Sequence, residues 1–200
     1  MRIESDKTPT GRLTSMSVSV LRRAAVLWLR GFLLTAAAFA VTVPLARSLD
    51  TGPVYHVTRS LSDTGDPASL LEWLTPSLLF CAGTAAAGTT VFCRSFLRAG
   101  CVFRGIGTGL LFGLLSCGKL RLSHAAVAVP LCLAGLFLWL AQAAFAAVFS
   151  DELLGAFGTN NDARFRSVLR TSLSVTLALS GAVFLTSALS WLTAGAAAAP

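Results

Sequence analysis

Few side chains in this sequence have the type and spacing needed for catalysis or metal binding. The two histidines, His56 and His124, are far apart in the chain. Asp151 and Glu152 are adjacent, so in a helix their carboxylates point about 100 degrees apart and do not form a facing acid–base pair. The sequence contains no HExxH motif and no phosphate-binding glycine loop. We therefore predict that the protein is not an enzyme and that it has no cofactor and no metal site.

The five cysteines do not follow the spacing of a zinc site or a disulfide framework. All of them lie within or beside apolar runs, and no two are spaced as CxxC. We interpret them as small packing residues of a membrane-embedded bundle. They are Cys81, Cys93, Cys101, Cys117 and Cys132.

Gln142 is the strongly polar side chain that lies deepest in an apolar run. We predict that it forms hydrogen bonds across neighbouring helices, each contributing about 1 kcal/mol. No Asp or Glu lies inside a predicted span, which disfavours ion-coupled transport. Arg104 follows Arg94 and Arg98 in a basic cluster that we interpret as a turn. We expect the Arg104 side chain to extend along the third span and reach the membrane surface.

The elements that must position these residues are long apolar runs. With 54% hydrophobic and 12% charged residues, the chain has too little polar surface for a soluble globule of this size. A helix that crosses about 30 Å of hydrocarbon needs about 20 residues, and the runs do not alternate like strands of a β-barrel. The sequence therefore predicts an all-α integral membrane protein, a bundle of about five transmembrane helices. The uncharged runs are 31–46, 73–93, 105–118, 125–149 and 171–200.

We predict a cytoplasmic tail, 1–23, followed by a single transmembrane domain, 24–195. The third uncharged run has only fourteen residues, so the sequence leaves open whether this segment crosses the membrane or is re-entrant. A cleaved signal peptide is an alternative interpretation of the first span, because residues 38–40 (AFA) resemble a cleavage site. The predicted spans are 24–46, 73–93, 99–118, 123–149 and 172–192.

Glycines at helical spacing predict close contacts between helices. Gly105, Gly109 and Gly113 form a GxxxGxxxG strip along one helix face, and such strips let two backbones approach closely. Gly83 and Gly88 lie among the small residues of the second span. We expect the strip to pack against this second span.

Pro130 lies in the first half of the fourth span. A proline in a helix removes a backbone donor and clashes with the carbonyl four residues earlier, so we predict a kink there.

The distribution of basic residues predicts the orientation of the chain. With five spans, the tail and the second and fourth loops, counted together with Arg30 and Arg104 near the ends of the adjoining spans, hold twelve Lys and Arg residues, against four in the other two loops. Basic loops favour the cytoplasm, so we expect a cell-membrane protein with a cytoplasmic N-terminus and an extracytoplasmic C-terminus. The same clusters flank apolar runs, so we assign the net charge of +7 to contacts with the lipid bilayer and not with nucleic acid.

A basic segment followed by a glycine-rich helix is the most specific pattern in the chain. With the order of the spans, this pattern resembles the stage II sporulation protein M family over about residues 25–195. The chain has Leu131 where that family would have a polar residue. The residues that carry the resemblance are FLRAG at 96–100, then Gly105, Gly107, Gly109 and Gly113, and Val129 with Pro130.

The resemblance implies a non-enzymatic membrane scaffold of endospore engulfment. Such a scaffold recruits the peptidoglycan-degrading stage II sporulation proteins D and P to the septal membrane. The small-residue faces could also join copies of the chain in a homo-oligomer. The alternative function is a small transport or lipid-handling protein, or a permease subunit, in which Pro130, Gln142 and the glycines of the third span line a path.

Overall fold

The computed structural model describes residues 18–48, 67–117, 125–159 and 162–195. Within these residues the protein consists of five α-helices without a β-strand. They are α1 (Val18–Ser48), α2 (Pro67–Ala87), α3 (Cys93–Ser116), α4 (Ala125–Gly158) and α5 (Asp162–Gly195). Four of them, α1, α3, α4 and α5, are long and apolar enough to cross a membrane. The predicted fold class, an all-α integral membrane bundle, is confirmed, and the protein is a multi-pass membrane protein.

Some predicted features lie outside the described residues. They are residues 1–17 of the tail, most of the polar segment between the first two spans, and His56 and His124. Residues 38–40, the site of the alternative signal-peptide interpretation, lie inside the continuous helix α1.

Helix α2 ends earlier than the apolar run that contains it. The run continues to residue 93, but the helix stops at Ala87 and a turn occupies residues 88–92. The hydroxyls of Thr89 and Thr90 donate to the carbonyls of Ala86 and Ala87, 2.8 and 2.9 Å away. Such local bonds satisfy carbonyls that the end of a helix leaves unpaired. The turn between α2 and α3 thus consists of uncharged residues, two of which bond to carbonyls at the end of α2.

The basic cluster belongs to helix α3, so its interpretation as a turn is wrong. Arg94, Arg98 and Arg104 all lie within a continuous helix of 24 residues. At 1.5 Å per residue this helix is about 36 Å long, which is enough to cross the hydrocarbon core. The apolar helix that is short is α2, whose apolar part is Leu74–Ala87.

Consecutive helices run in opposite directions. Helix α4 is antiparallel to α1, α3 and α5 and parallel to α2, which follows from the order of the contacting residues along each pair of helices. The pairs are Arg23–Glu152 and Gly31–Leu140 for α1 and α4, Arg94–Asp151 and Gly100–Trp139 for α3 and α4, Gln142–Ser180 and Cys132–Ser190 for α4 and α5, and Thr84–Trp139 and Thr90–Ser150 for α2 and α4.

One end of the bundle, which we call the basic end, contains the start of α1, the 88–92 turn and the α4–α5 connection. Two adjacent carboxylates of α4 receive arginines from three other helices there. Arg94 lies 2.6 Å from Asp151, while Arg23 and Arg164 lie 3.1 and 2.8 Å from the two oxygens of Glu152. These arginines are more than half exposed, so each pair contributes at most about 1 kcal/mol. Their role is to connect the helix ends.

The glycine strip of α3 packs against α1, so the expectation that it faces the second span is wrong. A Cβ atom at Gly105 would lie 2.5 Å from the Thr35 carbonyl oxygen, and one at Gly113 would lie 2.5 Å from the Ala46 Cβ. Both distances are too short for a real side chain. Successive glycines face successive turns of α1, so the two helices run parallel in direct backbone contact.

Small residues of α1 provide the opposite face of this contact. Thr35 and Thr42 are buried, and their hydroxyls donate to the carbonyls of Gly31 and Ala38 in their own helix, at 2.9 and 2.6 Å. Their polar atoms are therefore satisfied without a partner on α3. Both α1 and the second span are rich in small residues, so composition alone does not identify which of them receives the strip.

The other predicted packing residues lie at different interfaces. A Cβ at Gly83 would lie 2.6 Å from the Phe96 ring, between α2 and α3, and one at Gly88 would lie 3.3 Å from Ala146 of α4. Pro130 is exposed and lies near the start of α4, which continues as a helix to its end at Gly158.

Replacing Gly109 with Leu should destabilise the bundle, because a Cβ there would already lie 2.9 Å from Thr42. Overpacking of this kind costs about 1–3 kcal/mol. We expect a lower unfolding midpoint in mixed micelles and less monodisperse protein in detergent. The matched control is Gly107→Leu in the same helix, where no described atom lies within 4 Å of an added Cβ. Equal stability of the two variants would show that the close α1–α3 contact is not formed.

Candidate anion site inside the bundle

Arg104 lies in the middle of the bundle and not at its surface. It is ten residues beyond Arg94, which places it about 15 Å along α3 from the ion pairs of the basic end. This is about half the thickness of the hydrocarbon core. Its Nε and Nη2 atoms are buried, so the expectation that this side chain reaches the membrane surface is wrong.

Two aromatic rings hold the Arg104 guanidinium. Its Cζ atom lies 4.6 Å from the ring centre of Phe80 on α2 and 5.5 Å from that of Trp139 on α4. The two rings meet edge to face, with their centres 5.4 Å apart. Gly100, one turn before Arg104, makes this arrangement possible, because a Cβ there would lie only 3.0 Å from the Trp139 ring.

The aromatic contacts do not complete the hydrogen bonding of Arg104. Its Nε and Nη2 have no acceptor among the described residues. A desolvated cation–π contact contributes about 2 kcal/mol, whereas burying an ion costs several kcal/mol even after relaxation. The rings therefore position the guanidinium, but no described residue gives its charge an anionic partner.

Gln142 is a second incompletely satisfied group in the same interior. Its side chain is 1% exposed, and its Nε2 donates to the Cys81 carbonyl at 3.3 Å and to the Ser180 hydroxyl at 3.0 Å. These bonds connect α4 to α2 and α5. The Oε1 atom has no donor among the described residues. The site thus offers a buried acceptor as well as buried cationic donors.

Hydroxyl and thiol groups line the rest of the interface between α2, α4 and α5. The Trp139 Nε1 donates to the Thr84 hydroxyl at 3.1 Å, and the thiols of Cys81 and Cys132 lie near Arg104. Two further polar pairs are Ser77–Ser187 at 3.1 Å and Cys132–Ser190 at 3.2 Å. We call Arg104, Gln142 and these surrounding groups the interior polar site.

The interior polar site has the chemistry of an anion receptor. A guanidinium is always charged, and its fixed N–H donors match the oxygens of a carboxylate or phosphate. Charge-assisted hydrogen bonds of this kind are strong when water is excluded. The groups nearest to Arg104 are the rings of Phe80 and Trp139 and the thiols of Cys81 and Cys132. In the described residues no group of three or more His, Cys, Asp or Glu could hold a metal ion.

Sequence reasoning did not identify Arg104 as a buried residue, although a signal was present. Residues 94–104 contain no proline and a single glycine, so nothing in them requires a turn. With a helix through this segment, Gly105 and Arg104 point about 100 degrees apart. A strip of glycines facing one helix would then direct Arg104 toward another.

A comparison of the chain with protein-family models, with curated proteins and with solved structures finds no match. The resemblance to the sporulation family therefore stays a prediction.

Proposed function

We propose that this protein is a small, non-enzymatic transport or lipid-handling membrane protein, or a permease subunit, whose bundle binds an anionic group at Arg104. The observation that carries the proposal is the Arg104 guanidinium, whose buried Nε and Nη2 have no acceptor among the described residues and which lies in the middle of a helix long enough to cross the membrane. Ionisable residues at this depth are costly and commonly mark the path of a substrate or ion.

The ligand chemistry follows from the donors that are unpaired. Arg104 presents Nε and Nη2, the pair of adjacent donors that binds two oxygens of one carboxylate or phosphate. Gln142 presents an acceptor, which suits a hydroxyl or amine elsewhere in the ligand. The anionic group could belong to a lipid or to a water-soluble solute. A lipid would move from one leaflet to the other, whereas a solute would cross from one aqueous side to the other.

The path itself differs from the one that the sequence suggested. The glycines of α3 are covered by α1, and Pro130 is exposed on α4. Of those residues, Gln142 alone belongs to the interior polar site. We therefore place the proposed path between α2, α4 and α5, where the hydroxyl pairs lie.

We further propose that the basic end faces the cytoplasm of a cell-membrane protein. Eight arginines and three acidic residues lie at this end, and basic residues near membrane helices favour the cytoplasmic side. The N-terminus would then be cytoplasmic and the C-terminus extracytoplasmic. The arginines are Arg22, Arg23, Arg30, Arg94, Arg98, Arg164, Arg166 and Arg170, and the acidic residues are Asp151, Glu152 and Asp162.

The second candidate function is the membrane scaffold that the resemblance implies, with stage II sporulation proteins D and P as partners. One feature of the structure favours it. Helix α5 packs mainly on α4 and α2, and its outer leucines, Leu177 and Leu185, are 71% and 59% exposed. This apolar face is available to lipid, to a second copy of the chain or to a transmembrane helix of a partner.

The first prediction concerns transport by the purified protein in liposomes. One assay follows transbilayer movement of fluorescent phosphatidylglycerol, and the other follows release of trapped inorganic phosphate. We expect one of the two to be accelerated and Arg104→Gln to slow it about ten-fold or more, because a charge-assisted bond is lost. Gln142→Leu should have a smaller effect in the same direction.

The control for this assay is Arg170→Gln, which removes an exposed arginine of the basic end and should leave the rate unchanged. Monodisperse elution of each variant in detergent establishes that it is folded. The proposed function is wrong if neither assay exceeds protein-free liposomes. It is also wrong if folded Arg104→Gln is as active as the wild type.

The orientation is tested with topology reporters. A reporter inserted near Thr159 should be active in a cytoplasmic assay, and one fused after Pro200 only in an extracytoplasmic assay, because α5 separates the two positions. Reporters that exchange sides would show that the basic end faces outward. Reporters on the same side would show that α5 does not cross.

The scaffold function is tested by affinity purification from detergent extracts of sporulating cells, with detection of stage II sporulation proteins D and P. We expect recovery to fall with the double variant Leu177→Trp/Leu185→Trp, which alters the free face of α5. Val41→Trp, at a 71% exposed position of α1, should keep recovery at the wild-type level. Absence of both partners from the wild-type sample would count against the scaffold.

A further inference from the structure

A groove between α1, α3 and α4 opens at the basic end, and we call it the basic groove. Its volume is about 350 Å³. Three arginines line it, Arg30 from α1 and Arg94 and Arg98 from α3. The rest of its wall is apolar and includes leucines of all three helices. The groove therefore combines cationic groups with a hydrocarbon surface.

Two of the three arginines carry uncompensated charge. Arg94 lies 2.6 Å from Asp151, so this pair is close to neutral. Arg30 and Arg98 are both exposed, and neither has an acidic partner in the part of the chain that the structure describes. A second depression adjoins the groove, shares Arg94 with it and adds Arg22 to the basic surface. The mouth of the groove is thus suited to a negatively charged group.

The groove is shorter than one leaflet of the hydrocarbon core is thick. From Arg94 to Cys101 it extends about 10 Å along α3, compared with about 15 Å for half of the hydrocarbon core. Ala143, Ala144 and Ala147 of α4 form one wall. Leu33 and Leu34 of α1, about one turn beyond Arg30, continue the apolar surface away from the basic end.

We infer that the basic groove binds an anionic glycerophospholipid, with its headgroup at Arg30 and Arg98 and an acyl chain along Leu33, Leu34 and Leu140. A zwitterionic lipid would bring a second positive charge to these arginines, whereas an anionic headgroup keeps its net charge to complement them. The inference does not depend on the interior polar site, because Arg104 faces α2 and α4 while the groove lies beside α1.

The test is native mass spectrometry of the purified full-length protein in detergent, with dioleoyl-phosphatidylglycerol or dioleoyl-phosphatidylcholine added at equal concentrations. We expect preferential retention of phosphatidylglycerol by the wild type. The double variant Arg30→Gln/Arg98→Gln should lower this binding about ten-fold or more, since each arginine near an anionic headgroup contributes about five-fold. Leu34→Trp, which fills the groove without a change of charge, should also lower it.

The matched control is Arg166→Gln/Arg170→Gln, which removes the same charge from exposed positions of α5 outside the groove and should retain the lipid. Equal binding of the two lipids by the wild type would overturn the inference. Equal losses in the two double variants would also overturn it, because they would indicate a general attraction of the lipid to the basic end.

A third variant distinguishes the basic groove from the interior polar site. Arg104→Gln should keep the bound phosphatidylglycerol even where it stops transport. Loss of the lipid in that variant would place it at the interior polar site and refute the basic groove as its location.

Discussion

The contact between α1 and α3 determines where the other groups of the bundle lie. Its glycines bring the two backbones together, so α3 has a single rotation about its axis that fits α1. Because Gly105 must face α1, Arg104 is turned by about 100 degrees and faces α2 and α4. The same rotation presents Arg94, Arg98 and Cys101 to the space between α1 and α4. One packing contact therefore positions both the interior polar site and the basic groove.

Lack of water in the bilayer core makes the interior polar site costly. In a soluble protein an arginine with unpaired nitrogens would recruit solvent, but in hydrocarbon it has to find partners within the bundle or in a ligand. Most polar groups here do find partners: Thr35, Thr42 and Thr84 bond within their own helices, and Trp139 bonds to Thr84. Against this background, Nε and Nη2 of Arg104 and Oε1 of Gln142 are buried polar atoms without a partner among the described residues.

The two proposed sites differ in depth and in the strength of their electrostatic interactions. The arginines of the basic groove are exposed, so water and salt screen each of them, and several together would attract one lipid headgroup. The interior polar site contains one guanidinium in a low-dielectric environment, where a single charge-assisted bond is much stronger. Arg98, the arginine of the groove nearest to Arg104, is six residues before it and so about 9 Å away along α3.

The sequence by itself determined the class of the protein. Uncharged runs of about 20 residues predict membrane helices, because backbone groups in hydrocarbon must be bonded within a helix. The GxxxGxxxG spacing also predicted a close helix contact. Sequence did not determine the partner of that contact, the end of α2 or the depth of Arg104. Those depend on which small-residue faces meet, since α1 and α2 are similar in composition and their three-dimensional fit alone distinguishes them. The position of the interior polar site depends on which helix packs against the glycines of α3, because this contact sets the rotation of α3. That rotation decides whether Arg104 faces lipid or the interior of the bundle.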